Sequence, residues 1–176
     1  MTTVNIKDFA RYMCLVMLQS GMTVSPLKLQ KLLYYQQAWH MVFFGRENTL
    51  FDCAPEAWVN GPVYPVIYKI YRDKVSGMCD HLGYQDFGCI EQDASDVCAV
   101  LLGGLGLSET ENELLMRVIM LYGSKTQNQL IFMTHSEKPW SEARGTLRPF
   151  ERSDRVISMD TMYAYYNERY QRNHSR

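Results

Sequence analysis

Residues 27–44, LKLQKLLYYQQAWHMVFF, leave only a narrow polar strip around a helix. Ser25 is a good cap, Pro26 suits the first helical position, and Gly45 suits the stop. A helix apolar over most of its girth belongs at the centre of its domain, since one neighbour cannot cover it. This stretch therefore predicts a mainly α, compact single-domain helical bundle built around it. The 176 residues suffice for one such domain, 1–176, with a core that needs no covalent staples.

The flanking segments read as helices of ordinary amphipathic kind. Asn5 caps a first helix carrying Ile6, Phe9, Met13, Val16 and Met17, and Gly21 stops it. A helix is expected from Ala94 to Leu102, ended by Gly103-Gly104. Ser108-x-x-Glu111 and Ser124-x-x-Gln127 read as capping boxes for the next two. Pro139 starts a short turn, and Ser158 caps a last helix with Met162, Tyr163, Tyr166 and Tyr170 on one stripe. Residues 170–176 read as a frayed tail. Only around residues 47–59 does the pattern suggest a small β element, followed by a turn at Asn60-Gly61-Pro62. Pro65 then opens a short helix with Tyr64, Ile67, Tyr68 and Tyr71 on its face.

Chemistry finds little foothold. GGLGL at 103–107 lacks the lysine of a phosphate loop, and no G-x-S-x-G occurs. His135-x-Glu137 lacks the P-C-x-x-C partner of zinc deaminases, so His135 reads as a structural helix end. Cys79, His81, Cys89 and Cys98 can be written as a zinc set, but only the first two are close, and apolar thiols under a loop are the plainer reading. The expectation is therefore a protein that is not an enzyme, with no catalytic residue, no resident metal and no cofactor. Arg144, Arg148, Arg152 and Arg155 are diluted by Glu151 and Asp154, so no nucleic-acid partner is expected. Met1–Lys7 is polar, and no apolar run reaches the length of a membrane span, so a cytoplasmic protein with reduced thiols and no membrane partner is expected.

Charge is unevenly laid out. The net charge is −1, yet no Lys or Arg lies between Lys74 and Arg117, while Asp80, Asp86, Glu91, Asp93, Asp96, Glu109, Glu111 and Glu113 do. Such a stretch is either a solvated loop with acid-rich helix starts or a face for a basic partner.

Four segments together resemble a known family. LKLQKLLYYQQAWH (27–40), with Leu29, Gln30, Lys31 and Tyr34, is followed by EAWVNGPVYPVIYKIY (56–71), with Trp58, Gly61 and Pro62. VIMLYG (118–123), ending near Tyr122, and THSEKPW (134–140), with His135, Pro139 and Trp140, come next, before the tyrosine-rich last helix. In this order they resemble the SocA-like antitoxin domain, also called Panacea, over nearly the whole chain. The resemblance implies a compact helical domain, phage-associated in some members, that binds and neutralises a cognate protein toxin. The family's namesake is a proteolytic adaptor that hands its toxin to a bacterial AAA+ protease. A phage or mobile-element interaction protein acting on a host protein is the alternative. Trp58, Gly61 and Pro62 then form either a corner that sets a strand-to-helix angle, with Lys31 and Tyr34 behind it, or an exposed hot spot where Tyr64 and Tyr68 meet the partner.

Overall fold

Helix α2, Pro26–Phe44, runs through the middle of the fold, with Leu29, Leu32, Leu33, Tyr34, Tyr35, Ala38 and Met41 sealed from solvent. The computed structural model describes residues 3–75 and 80–175. Around α2 stand α1 (Ile6–Gln19), α5 (Glu109–Tyr122), α6 (Gln127–His135) and α8 (Met159–His174). Helix α4 (Ala94–Leu105) packs on α1, and α7 (Lys138–Arg144) packs on α6 and α8. Strands β1 (Glu56–Trp58) and β2 (Gly61–Val63) form an antiparallel hairpin leading into α3 (Pro65–Tyr71). The fold is thus mainly α with one small sheet, and one hydrophobic cluster links these helices. No described helix is long and apolar enough to cross a membrane.

The polar strip of α2 does not face water. It is buried, and its side chains bind the backbone of surrounding segments. Lys28 Nζ donates to the Gly123 carbonyl at 2.5 Å, and Gln36 Nε2 to that of Leu115 at 3.1 Å, so two of them pin α5 and its end. Gln37 Oε1 accepts the Phe51 N–H at 2.9 Å. The His40 ring spans the Asn48 carbonyl at 2.9 Å and the Glu111 carboxylate at 3.1 Å. Burying these groups costs less because each side chain has a backbone or carboxylate partner, although the buried Gln37 Nε2 is left without one. The helix is therefore both the apolar core and the hub on which loops are registered.

Several boundaries differ from the sequence expectation. The β element lies later: β2 takes in Gly61 and Pro62, and the turn falls on Val59 and Asn60. Pro62 is tolerated because β2 is the outer strand, while β1 also bridges to Val156 on its other side. Helix α4 continues through Gly103-Gly104 to Leu105, because buried Leu101 and Leu105 anchor its last turn, and left-handed Gly106 ends it. Helix α6 is capped by Thr126 and Gln129, not Ser124 and Gln127; Gln127 instead accepts a hydrogen bond from Ser25 at 2.5 Å. Helix α8 reaches His174, through most of the expected tail, with Tyr170 edge-on to Phe43 at 5.2 Å.

Candidate functional site

The residues of the hairpin corner are assembled from α2, β1, β2, α6 and α7. Gln30 grips the Tyr64 backbone with both ends of its amide: Oε1 accepts the N–H at 2.7 Å, and Nε2 donates to the carbonyl at 3.3 Å. One helical residue on, fully buried Lys31 donates from Nζ to the Pro62 carbonyl at 3.0 Å. Gly61 has φ +98°, and a Cβ there would stand 2.7 Å from Lys31 Cε and 2.8 Å from Thr134 Oγ1. From the other side, Trp140 Nε1 donates to the Trp58 carbonyl at 2.8 Å, and the His135 ring stacks on Trp140 at 3.9 Å. Burial first, then the charge of Lys31, holds His135 below its ordinary value. Leu29, Tyr34 and Pro139 are buried beside these groups.

Burial brings the Lys31 ammonium down to about 7. The unfolded chain, with an ordinary lysine, keeps its proton above that pH, so this site's contribution to stability rises from about pH 7 upward. Lys31→Met removes the titration. The stability of the wild type minus that of the variant, from urea unfolding, is expected to climb between about pH 7 and about pH 9. A flat difference would show that Lys31 keeps an ordinary lysine pKa in the folded chain.

Behind the corner lies a second polar cluster. The Glu137 carboxylate accepts hydrogen bonds from Tyr35 at 3.1 Å and from Tyr166, and pairs with Arg169 at 3.5 Å. Burial raises its pKa against the opposing pull of Tyr166, Arg169 and Tyr35. Tyr122 stacks flat on Tyr35 at 4.0 Å. These are interior contacts that tie α2, α5, α7 and α8 together.

What the corner shows to solvent is narrower. Tyr64 is 0% exposed and cannot meet a partner in this fold, which corrects the expectation that it belonged to a hot spot. Its hydrogen-bonded backbone and its ring against Phe51 belong to the core. Tyr68 does reach the surface. Its ring meets Trp58 edge-on at 4.8 Å, and the Arg72 guanidinium lies over it at 5.9 Å. Together with Leu27 and Val63 they line a groove of about 650 Å³.

The far wall of this groove comes from Arg152, Ser153 and Asp154, in a segment that the sequence marks only as a diluted basic tract. Buried Arg144 organises this segment by donating to the carbonyls of Arg148 (2.7 Å) and Glu151 (2.8 Å). Arg155 returns a hydrogen bond to the Arg144 carbonyl at 3.0 Å, and its own carbonyl accepts from Ala57 at 2.8 Å. The loop is thereby fastened to β1, with Phe150 at its tip 88% exposed and Arg152 and Asp154 in the groove wall. No motif in the sequence marks Phe150; the clamp of Arg144 on the Arg148 and Glu151 carbonyls, on either side of it, shapes the loop that carries it.

The acidic candidates separate. Asp86 accepts the Gly83 N–H at 2.8 Å and shapes a 3-10 turn, Tyr84–Phe87. Glu91, Asp93 and Asp96 are exposed around the start of α4, and Asp80 is exposed before the turn. Cys79 lies outside the described residues. Cys98 Sγ donates to Gln19 at 3.5 Å, Cys89 Sγ to the Tyr84 carbonyl at 3.8 Å, and exposed His81 lines a different hollow. Among the described residues no three His, Cys, Asp or Glu side chains converge as a metal site would require.

The family model described as "Antitoxin SocA-like, Panacea domain" matches residues 29–141. The chain belongs to this family. The match begins inside α2 and ends inside α7, so it takes in the Gln30–Lys31 clamp, the hairpin and Trp140. It excludes α1, the Phe150 loop and α8, and is narrower than the resemblance read from the sequence motifs. No curated protein and no solved structure matches the chain. Within the Panacea domain, the motif residues Leu29, Gln30, Lys31, Tyr34, Gly61 and Pro62 are thus the inside of the corner, whereas Trp58 and Tyr68 are its outside.

Proposed function

We propose that the protein is an antitoxin that neutralises a cognate protein toxin by binding it directly, without catalysis, and that the toxin covers the corner groove. The observation that carries this reading is the part-exposed cluster of Trp58, Tyr68 and Arg72 sharing a groove with Arg152 and Asp154 of the clamped loop, whose tip bears the exposed ring of Phe150. Trp, Tyr and Arg dominate the energetic centres of protein interfaces, and their effect is greatest when they are held rigid before binding. Membership of an antitoxin-like family supports the choice of partner class. The exposed carboxylates of Glu91, Asp93 and Asp96 suit the approach of a basic toxin surface. An interface of ordinary size, roughly 1,600 Å² in total, would cover the groove and its walls.

Co-expression with the open reading frame beside its gene tests the proposal. If the neighbour encodes the toxin, it arrests growth alone, and this protein restores growth and co-purifies with it. A neighbour that is harmless alone, with a host protein co-purifying instead, would replace the antitoxin reading with that of a phage or mobile-element protein, or a proteolytic adaptor, acting on the host.

A further inference from the structure

A second groove, of about 520 Å³, opens between α2, α5, α6 and α8. Leu27 lines the corner groove and Phe43 this one, some 24 Å apart along the axis of α2 at the helical rise. Trp39 and Tyr122 line it, and the Trp39 N–H donates to the Tyr122 hydroxyl at 2.9 Å, so their polar atoms are already paired. Phe43 and Leu121 form its apolar lip, 46% and 61% exposed. Among the described residues lining it, Arg117, Lys125, Arg169 and His174 are basic and none is a carboxylate. Arg169 is held in place by its ion pair with buried Glu137 at 3.5 Å.

We propose that this groove docks an acidic amphipathic helix of a partner protein. Because the Trp39 and Tyr122 polar atoms pair with each other, the groove suits a segment that satisfies its own backbone hydrogen bonds, which a helix does. One apolar face of that helix lies on Trp39, Phe43 and Leu121, and its carboxylates meet Arg117, Lys125 and Arg169. The uniform sign of the rim selects acid over base, since like charges brought together are disfavoured as strongly as opposite ones are favoured. The site is separate from the corner groove and does not depend on the antitoxin reading.

Two fluorescent peptides of about four helical turns test it, each with leucines on one face, one carrying glutamates elsewhere and the other lysines. Anisotropy with the full chain at low salt should show the glutamate peptide binding at least about tenfold more tightly. Leu121→Asp should abolish that binding, and Arg117→Glu with Lys125→Glu should reverse the preference. All three side chains are at least partly exposed, so these changes leave the core intact. Equal or absent binding of both peptides, or binding that survives Leu121→Asp, would overturn the proposal. So would a Leu121-dependent dimer that the glutamate peptide cannot displace, which would assign the face to a second copy of the chain.

Discussion

Gly61→Ala is expected to destabilise the protein by about 2–4 kcal/mol, close to the largest effect a single methyl group can have. Two independent penalties meet at this position. With φ at +98° the backbone is in a region that side chains with a Cβ rarely adopt. The new methyl would also stand 2.7 Å from Lys31 Cε and 2.8 Å from Thr134 Oγ1. Neither neighbour is free to move. Lys31 is buried with its amine on Pro62, and Thr134 is buried with its hydroxyl on the Ile131 carbonyl at 3.0 Å. The hairpin must therefore shift, breaking the two-point grip of Gln30 on Tyr64. Thermal unfolding checks this. A melting temperature within a degree or two of wild type would mean that the corner is not held as the geometry indicates.

The main helices could be read in the sequence because their signals are local. Ser25-Pro26 and Gly45 bracket α2, and Ser108 with Glu111 forms the box that opens α5. Other features depend on distant residues. Ser124-x-x-Gln127 and Thr126-x-x-Gln129 carry the same pattern, and the contact of Gln127 with Ser25 leaves Thr126 as the cap. Gly103-Gly104 looks like a stop until Leu101 and Leu105 find the core. Gln30 and Lys31 look like solvent-facing positions on an apolar helix; their burial follows from the hairpin carbonyls that meet them. The same holds at the candidate site. The motif residues were visible, but whether Tyr64 or Tyr68 faced outward depended on how α3 leaves β2. Phe150 was invisible because its exposure is set by Arg144 gripping carbonyls across the loop.

Replacing Tyr68 and Phe150 together by alanine is expected to leave the fold intact and to remove partner binding. Phe150 is exposed at a loop tip, and Tyr68 is half-buried against Trp58, so little of the core is disturbed. In a complex both rings would be enclosed, and losing two such anchors costs on the order of 3–5 kcal/mol, a drop in affinity of at least about 100-fold. Gly61→Ala is the contrasting change, since it weakens the fold from inside without removing either outer ring. Titration calorimetry of the purified double variant against the co-purifying partner, beside a melting curve of the same sample, is the direct measurement. The account predicts an affinity lower by about 100-fold or more with an unchanged melting temperature. Wild-type affinity in the double variant would contradict it, because the partner would then be held somewhere other than the corner groove.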